Sequence, residues 1–456
     1  MSAVSDLIDP MIVYELRRLR PVAQNAYLLA LAAFQRGLKV TFHDNYHHVP
    51  RFANLPLHGF RGELFSVSDG KTTRYFRRSI SDTVSREVSA SCENKQATKA
   101  ILHKAGVSVP PGLIITHGDE PEIKDFVERY KQHQFLLKPY AGSLGEGVVR
   151  AIPADKVQEE IAKIAGKPHL LEVFLRGREF RLFVIDDEVV GGHERIPAHV
   201  IGDGQSTIEA LVAQKNQLRA QHLVYQKYPL EIGEIQQQFL SIQGLSLNAI
   251  PESGQRIWLN DIPAFREGGH LQGLSVDGMS SKMKQAAIDA AKAIGISFTG
   301  LDMIVLNLGE VDEQVFILEL NQCPHLTGVL GGLPMTERPA YNTICESLID
   351  FHFPESRKNK RFPKASFDLA SIVALLETGS VAEVTLPVLE PSWVHVRYSM
   401  PVNIAEKTDL PKLLIQTRAA GLHARIVKST AGEVIVDALI PETQRKKLDA
   451  LVGLRG

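Results

Sequence analysis

Two neighbouring apolar segments constrain the fold most, because both carry polar side chains that a buried strand does not ordinarily hold. The segments LDMIVLNL (301–308) and VFILELN (315–321) are separated by a short turn, so we expect an antiparallel hairpin. Side chains two residues apart point to the same face of a strand, so this prediction places Glu319 and Asn321 together. Hairpin pairing puts Asp302 opposite or diagonal to them on the other strand.

The polar side chains of this hairpin need partners if they are buried, because unpaired polar groups are costly in an apolar setting. Two carboxylates and an amide oxygen are hard ligands of the kind that Mg²⁺ and Mn²⁺ bind. The hairpin therefore predicts a metal site formed by Asp302, Glu319 and Asn321. The alternative is that these residues lie on a solvated face of the sheet.

The composition of the 456 residues is that of a globular protein with two or three domains. The formal net charge is −1, so nothing in it predicts a nucleic-acid partner or a membrane-surface partner. Cys92, Cys323 and Cys345 have no metal-type spacing, which is typical of a reducing cytoplasm. The apolar run AYLLALAAF (26–34) is too short to cross a bilayer and lacks a signal-peptide pattern, so we expect a cytoplasmic protein.

The order of helical and strand-like patterns predicts an α+β chain in several parts. Residues 1–90 should form an N-terminal α/β domain, and residues 91–353 a central domain with a mainly helical insertion at 206–248. The basic, proline-bracketed stretch 354–364 is typical of a linker. Residues 365–456 should form a small C-terminal α+β module, whose role the sequence leaves open together with assembly into a homo-oligomer.

A glycine-rich segment, GSLGEGV (142–148), follows the predicted strand FLLKPY (135–140). Small residues allow backbone N–H groups to approach phosphate oxygens, and Lys138 supplies a positive charge beside them. The segment lacks the Gly-Lys-Ser/Thr ending of a P-loop, and its spacing does not fit a Rossmann fingerprint. It predicts either a phosphate-binding loop or an ordinary turn.

The segment LLEVFLRGREFR (170–181) alternates charged residues with strand-like apolar ones. Glu172 could accept a hydrogen bond from an adenine amino group, and Glu179 could accept one from a ribose hydroxyl. Arg181 and Arg195 could face a phosphate or a carboxylate. A solvated strand edge with surface ion pairs explains the same residues equally well.

Taken in order, these segments resemble the ATP-grasp superfamily, and most closely the ATP-grasp domains of cyanophycin synthetase and of bifunctional, glutathione-forming synthetases. The resemblance covers about residues 85–350. It implies an ATP-grasp fold, in which two α/β subdomains grip ATP. The matching segments are ENKQATKAILHKAGVSVPPG (93–112), KPYAGSLGEGV (138–148), ERIPAHVIGDGQSTIEALV (194–212), PESGQRIWL (251–259), GLDMIV (300–305) and ILELNQCP (317–324).

The resemblance implies a role for each matched position around the nucleotide. Lys95 and Lys138 would contact the phosphates of ATP, and Glu179 would bind the ribose. Adenine would be held by Glu172 and by the backbone that follows it, at Val173 and Phe174. The loop that closes over the phosphates would be formed by Gly142, Ser143, Gly145 and Gly147.

The resemblance also implies the metal ligands and the groups nearest the reaction. Asp302, Glu319 and Asn321 would bind two Mg²⁺ (or Mn²⁺) ions that bridge the phosphates. Arg181 and Arg195 would lie near the centre of phosphoryl transfer or near the acceptor carboxylate.

One segment departs from the family pattern. After PESGQRIWL, these relatives usually continue with an arginine and a polar stretch that ends Ser-Thr-Gly-Gly, but here NDIPAFREGG (260–269) begins with Asn260. Acyl-phosphate chemistry favours a cation near the phosphoryl group in transfer. Either Arg256 or Arg266 supplies that cation, or the substrate has changed, or the activity is weaker.

The reaction that the resemblance implies is the ATP-dependent joining of a carboxylate to an amine. An acyl phosphate would form first, and attack by the amine would then release phosphate beside the ADP already formed. Amino acids or small peptides would be the substrates. Two alternatives stay open: a nucleotide-binding regulatory or scaffolding protein with an altered acceptor site, and a kinase that leaves a phosphate ester.

Overall fold

A computed structural model describes residues 9–53, 61–116, 121–140, 147–164, 167–264, 267–326, 341–401, 423–428 and 433–452. Within these ranges, no helix has the length and apolar character that a membrane crossing requires. The chain divides into two compact units. One unit contains residues 84–324, and the other combines the residues before 84 with those from 341 onward.

The helices and strands alternate along most of the chain. The helices are α1 (Pro10–Arg18), α2 (Pro21–Phe34), α3 (Arg86–Glu93), α4 (Lys95–Lys104), α5 (Pro121–Arg129), α6 (Val157–Ala162), α7 (Ile208–Gln221), α8 (Glu234–Ile242), α9 (Ser281–Ile294), α10 (Tyr341–His352), α11 (Leu369–Glu377) and α12 (Arg445–Val452). The strands are β1 (Lys39–His43), β2 (Leu64–Ser68), β3 (Thr73–Arg77), β4 (Ile80–Ser81), β5 (Gly112–Ile115), β6 (Gln134–Pro139), β7 (Val149–Ile152), β8 (His169–Phe174), β9 (Arg178–Ile185), β10 (Glu188–Ile196), β11 (His199–Ile201), β12 (Arg256–Trp258), β13 (His270–Leu274), β14 (Phe298–Leu306), β15 (Gln314–Asn321), β16 (Glu383–Thr385), β17 (Trp393–Pro401), β18 (His423–Lys428) and β19 (Glu433–Pro441).

In the unit that combines the residues before 84 with those from 341 onward, the described residues form two sheets. The first has the order β16-β1-β2-β3-β4, and the second is a three-stranded sheet of order β17-β19-β18. Helix α2 is apolar over most of its surface and packs into the core, where Tyr27 and Phe34 contact the ring of Phe367 at centroid distances of 4.9 and 5.6 Å. In the second sheet, Arg397 binds both Asp437 and Asp9 through its guanidinium, which ties β17 to the residue that caps α1.

Two features of this unit correct the division expected from the sequence. Strand β16, in the range assigned to a separate C-terminal module, pairs with β1 and completes the first sheet. The stretch 354–364 is not an isolated linker, because Phe362 N–H donates to Gln35 O at 2.8 Å and Asn359 Nδ2 donates to Arg36 O at 3.0 Å. These partners are more than 300 residues apart in sequence, so local composition does not reveal them.

The unit formed by residues 84–324 contains the sheets that carry the predicted site. Strands β5, β8, β6 and β7 form one antiparallel sheet in that order, and α5 and α6 contact it. Strands β13, β10, β9, β14 and β15 form a second antiparallel sheet. The predicted hairpin is confirmed as β14 and β15, with Asp302 directly opposite Glu319 and Gly300 opposite Asn321.

Helix α9 covers one face of the five-stranded sheet. It begins at the N-cap Ser280, whose hydroxyl accepts from Met283 N–H at 3.1 Å, and it ends at Gly295, which adopts a left-handed φ of +76°. Its apolar stripe packs on alternate residues of β9 and β14 in one buried cluster. Since side chains alternate along a strand, the intervening residues of β9 and β14 face the other side of the sheet.

Helices α7 and α8 lie between β11 and β12, in the range 206–248 where the sequence predicts a mainly helical insertion. Helices α7 and α8 pack with the two-stranded sheet β11-β12 around a core of their own. The residues of this core include Val200 on β11, Leu211 and Val212 on α7, Leu240 on α8 and Ile257 on β12.

Candidate nucleotide and metal site

A row of polar side chains crosses four strands of the five-stranded sheet, on the face opposite α9. The strand register places His193 of β10 beside Arg181 of β9, Arg181 beside Asp302 of β14, and Asp302 beside Glu319 of β15. The antiparallel pairing of these strands therefore gathers residues that are up to 126 positions apart (319 − 193).

Asp302 is the buried centre of this row. Arg181 Nε and Nη2 donate to Asp302 Oδ1 and Oδ2, both at 2.6 Å, and Arg195 Nη2 donates to Oδ2 at 2.9 Å. Burial acts to raise the pKa of Asp302, but the charges and hydrogen bonds of the two arginines outweigh it and hold this pKa well below the ordinary value. Asp302 is therefore ionised and fixed in position by a bidentate pair.

Glu319 lies beside Asp302 and is more exposed, with 42% of its side chain accessible. Asn321 Nδ2 donates to Glu319 Oε1 at 3.1 Å, which confirms that these two side chains share a face. Partial burial and the neighbouring Asp302 raise the pKa of Glu319, although Asn321 and Arg181 act in the opposite direction. The negative charges of Asp302 and Glu319 repel each other, and a cation bound between them would relieve this repulsion.

The donor set at this position fits a divalent cation. Among the described residues, no cluster of three or more His, Cys, Asp or Glu side chains has a metal-binding arrangement. A site here therefore depends on the amide oxygen of Asn321 in addition to the carboxylates of Asp302 and Glu319. Such a mixture of carboxylate and amide oxygens matches Mg²⁺ chemistry.

Glu179 lies two residues before Arg181 on β9, on the same face of the strand. Its carboxylate is 3.8 Å from Arg150 Nη2 and 4.0 Å from Arg195 Nη1. Burial raises the pKa of Glu179, and the charges of Arg195 and Arg150 only partly oppose this effect. Glu179, the residue predicted to bind the ribose, thus lies next to the polar row and forms ion pairs with two guanidinium groups.

Glu172 on β8 is buried between two lysines. Lys138 Nζ lies 2.6 Å from Glu172 Oε2, and Lys99 Nζ donates to Glu172 Oε1. Burial acts to raise the pKa of Glu172, but Lys138 and Lys99 outweigh it and hold this pKa below its ordinary value. Both oxygens of Glu172 are therefore engaged by ammonium groups.

The packing of β5 against β8 depends on a glycine at position 112. A Cβ atom on Gly112 would lie 2.8 Å from both Glu172 Cγ and Leu171 O, closer than real contacts allow. The segment before β5 contacts both β8 and α4, because Pro111 O accepts from Val173 N–H at 2.9 Å and Pro110 O accepts from Lys99 Nζ at 3.0 Å.

Lys95 begins α4, whose first turn is capped by Asn94. The side chain of Asn94 accepts from Gln96 N–H at 3.1 Å and from Ala97 N–H at 3.0 Å. Burial and the charge of Lys138 lower the pKa of Lys95, whereas Glu319 and Glu172 act to raise it. These electrostatic interactions link Lys95 to both predicted parts of the site, the lysine pair and the carboxylates.

Three residues near the site are absent from the sequence prediction. Lys99 follows Lys95 by four positions on α4, so helical spacing could have indicated a second lysine on the same face. Arg150 and His193 gave no comparable signal, because their neighbours come from other strands. His193 is 2% exposed, and burial followed by the charges of Arg181 and Arg195 lowers its pKa well below the ordinary value.

The remaining predicted residues are placed as follows. Gly147 has a left-handed φ of +71°, and Phe174 lies under the guanidinium groups of Arg150 and Arg176 at 5.4 and 5.7 Å. Arg256 is exposed on β12 and stacks on Trp258, away from the contacts of Asp302. Gly142, Ser143, Gly145 and Arg266 lie outside the described residues.

Comparison with known proteins finds a family match for one segment of this unit. Residues 92–221 match the family described as RimK-like ATP-grasp domain. These residues include Lys95, Lys138, Glu172 and Arg181, so the matched segment carries much of the site described above. The chain therefore contains a segment that matches an ATP-grasp domain.

Its relatives include two kinds of larger protein. The chain is 33% identical over 309 residues to the glutathione biosynthesis bifunctional protein GshAB of Clostridium perfringens, covering 65% of this chain and 37% of that protein. It is 27% identical over 283 residues to the cyanophycin synthetase of Trichormus variabilis, covering 60% of this chain and 30% of that protein. The chain therefore spans well under half the length of these relatives.

Solved structures similar to this chain include that of a bifunctional glutathione synthetase from Pasteurella multocida, which has 25% sequence identity to this chain and a TM-score of 0.49. That similarity covers 64% of this chain and 40% of the other.

Proposed function

We propose that the protein is an ATP-dependent carboxylate–amine ligase that acts on amino acids or small peptides. The observation that carries this proposal is the row formed by Arg181, Asp302 and Glu319, with Asn321 beside it. This row combines fixed positive charge with metal-type oxygen ligands on one face of a sheet. Such a combination suits phosphoryl transfer, where catalysis is mainly positioning and charge neutralisation.

ATP would bind where the lysines and the polar row meet. Lys95 and Lys138 would contact its phosphates, and Glu179 would accept from the ribose. Asp302, Glu319 and Asn321 would hold Mg²⁺, which supplies neutralisation of phosphate charge when bound. Lys99 would keep the Glu172 carboxylate ionised and in place while Lys138 turns toward the nucleotide.

The reaction would proceed in two transfers. A substrate carboxylate oxygen attacks the γ-phosphorus, the bond to the β-phosphate oxygen breaks, and ADP leaves with an acyl phosphate behind. An amine then attacks the acyl carbon, the C–O bond to phosphate breaks, and the nitrogen loses a proton as the amide forms. Arg181 and Arg195 would stabilise the charge on the phosphoryl group in transfer.

A matrix of amino acids and dipeptides, assayed for ADP release, tests this proposal. Mass spectrometry on the active pairs should find an amide product and inorganic phosphate. The substitution Glu319→Gln should abolish turnover, while the matched change Glu310→Gln, at an exposed position of the β14–β15 turn, should not. A phosphorylated acceptor that accumulates without any amide would instead identify a kinase.

The altered segment after β12 favours one alternative. Asn260 is 3% exposed, and its side chain donates to Glu267 O at 2.7 Å and accepts from Ile262 N–H at 3.0 Å. Asn260 thus forms hydrogen bonds within its own loop, at the position where the family pattern that the sequence resembles has an arginine. A nucleotide-binding regulatory protein would show ATP binding by calorimetry and no ADP release with any substrate pair.

A further inference from the structure

A second group of charged and titratable side chains lies outside the polar row, where four elements meet. We call it the basic cluster, and it consists of Lys215 on α7, His199 on β11, Arg256 on β12 and His270 on β13. Lys215 Nζ donates to His199 O at 2.6 Å, and the rings of His199 and His270 are 4.8 Å apart. The guanidinium of Arg256 lies 5.3 Å from the ring of Trp258, which in turn contacts His199.

In the described part of the chain, the charges that act on Lys215 and His270 in the basic cluster are those of basic groups. No ion pair joins Lys215 or Arg256 to a carboxylate there, and Arg219 on α7 adds a further positive charge. Burial, followed by the charges of Arg219 and Arg256, lowers the pKa of Lys215 to about 7. Lys215 interacts electrostatically with Arg219 and Arg256, and its own charge acts on His199 and His270.

His270 adds an unsatisfied polar atom to the cluster. The side chain is 6% exposed, and its Nδ1 has no hydrogen-bond partner among the described residues. Burial, followed by the charge of Lys215, lowers its pKa to about 2, so the ring is neutral and can donate through one nitrogen. A buried polar atom lowers stability unless it forms a hydrogen bond, and neighbouring positive charges lower stability unless an anion binds between them.

The cluster adjoins the sheet that carries the proposed catalytic row. His270 pairs with Ile196, and the next residue, Leu271, pairs with Arg195, whose guanidinium reaches Asp302. Arg256 is exposed and Trp258 half-buried, so the cluster is open to solvent on the side of β12. An anion bound there would lie at the edge of the same sheet as the reacting groups.

We propose that Lys215, Arg256 and His270 bind a carboxylate of the substrate, one that is not itself activated. The assignment to a substrate rests on the proposed ligase function. A carboxylate is favoured over a phosphate because the nucleotide phosphates already have Lys95 and Lys138. The guanidinium of Arg256 can bind such a carboxylate through two parallel hydrogen bonds. The substrate class that follows is an amino acid or peptide with a second, free carboxylate.

Calorimetry with malonate as the probe tests the site without nucleotide. The 456-residue chain is titrated with malonate at pH 8 in two buffers of different ionisation enthalpy. Malonate should bind with uptake of about one proton, because a bound anion raises the pKa of Lys215. Lys215→Arg should bind malonate without proton uptake, because arginine stays charged. Lys215→Met should weaken binding at least about tenfold, the scale of one lost charged contact. Lys227→Met, at an exposed lysine of the same insertion, should match the unaltered protein.

Several results would overturn the proposal. The proposal fails if malonate does not bind, or if proton uptake persists in Lys215→Arg. It also fails if the protein binds inorganic phosphate more tightly than malonate. In the ADP-release assay, Lys215→Met should raise the KM for the carboxylate-bearing substrate and leave the KM for ATP unchanged. If the unaltered protein releases no ADP with any substrate, the ligase function fails, whereas the calorimetric result still decides whether the site exists.

Discussion

Arg181 and Asp302 face each other across adjacent strands and are joined by two parallel hydrogen bonds of 2.6 Å. Arg195 approaches the same carboxylate from β10 at 2.9 Å. The row is thereby fixed before any ligand arrives, which lowers the cost of organising the site when ATP binds.

Replacing Arg181 by lysine tests the importance of this bidentate geometry. Lysine keeps the charge but lacks the planar fork, so we expect kcat/KM to fall about 100-fold. The free energy of unfolding should fall by on the order of 2 kcal/mol, because a buried charged pair loses a hydrogen bond. ADP-release kinetics and urea titration measure the two effects.

Arg178 provides the matched control for this change. It lies on the same strand and also forms two hydrogen bonds to a carboxylate, that of Glu194, but 54% of its side chain is exposed. Arg178→Lys should change stability by less than about 1 kcal/mol and leave turnover intact. Equal effects at positions 178 and 181 would contradict a special role for Arg181.

Much of the five-stranded sheet could be predicted from the sequence, and the contacts between distant strands could not. The hairpin of Asp302 and Glu319 follows from a short turn and alternating apolar residues, which are local signals. The pairing of Arg181 with Asp302 spans 121 positions, and strand β16 joins β1 across more than 300. Local patterns identify strands but do not specify which strands become neighbours.

The lysine pair at Glu172 illustrates the same limit. Sequence order indicated Lys138 and Glu172 as nucleotide ligands, yet it did not indicate that Glu172 would bind Lys99 and Lys138 at once. That arrangement arises because Lys99 on α4 reaches Glu172 on β8 and also donates to Pro110 O at 3.0 Å. It depends on tertiary packing, which residue spacing alone does not encode.

Removing Lys99 should weaken nucleotide binding indirectly. In Lys99→Met the Glu172 carboxylate loses one cation, so its pKa should rise and Lys138 should be held more tightly to it. We expect the KM for ATP to rise about tenfold, equivalent to roughly 1.4 kcal/mol. Lys104→Met, at an exposed position on the same helix, serves as the control. An unchanged KM in Lys99→Met would show that Lys99 has only a structural role.

In the absence of metal, the contributions of Asp302 and Glu319 to folding stability should change with pH in opposite directions. Asp302 has a lowered pKa, so the unfolded state binds more protons, and the stability it contributes is lost as pH falls through the acidic range. Glu319 has a raised pKa, so the folded state binds more protons, and its contribution declines as pH rises above the ordinary glutamate value near 4.5.

Substitutions at these two positions should therefore have opposite effects on the metal-free protein at pH 7. Glu319→Gln should be more stable than the unaltered protein, because it removes a charge that Asp302 disfavours. Asp302→Asn should be less stable by about 3 kcal/mol or more, because Arg181 loses its buried partner. Thermal unfolding in the presence of a chelator measures both, and the same sign for both variants would contradict this electrostatic account.

When Mg²⁺ and ATP are both added, the unaltered protein should become more stable than Glu319→Gln. A ligand present at about 100 times its dissociation constant stabilises the folded state by about 2.7 kcal/mol. The unaltered protein should gain this increment, and Glu319→Gln should lose most of it because a ligand to the cation is gone. Chelation should return the unaltered protein to its metal-free Tm, whereas a Tm insensitive to Mg²⁺ would argue against a metal site.

Crystallography with Mn²⁺ and a non-hydrolysable ATP analogue tests most directly whether Asp302, Glu319 and Asn321 hold the cation that serves the nucleotide. An anomalous-scattering peak should lie within coordination distance, about 2.2 Å, of oxygens from these residues and from the phosphates. Lys95 and Lys138 should contact the same phosphates. A peak elsewhere, or an analogue bound with its phosphates away from Asp302 and Glu319, would contradict the account.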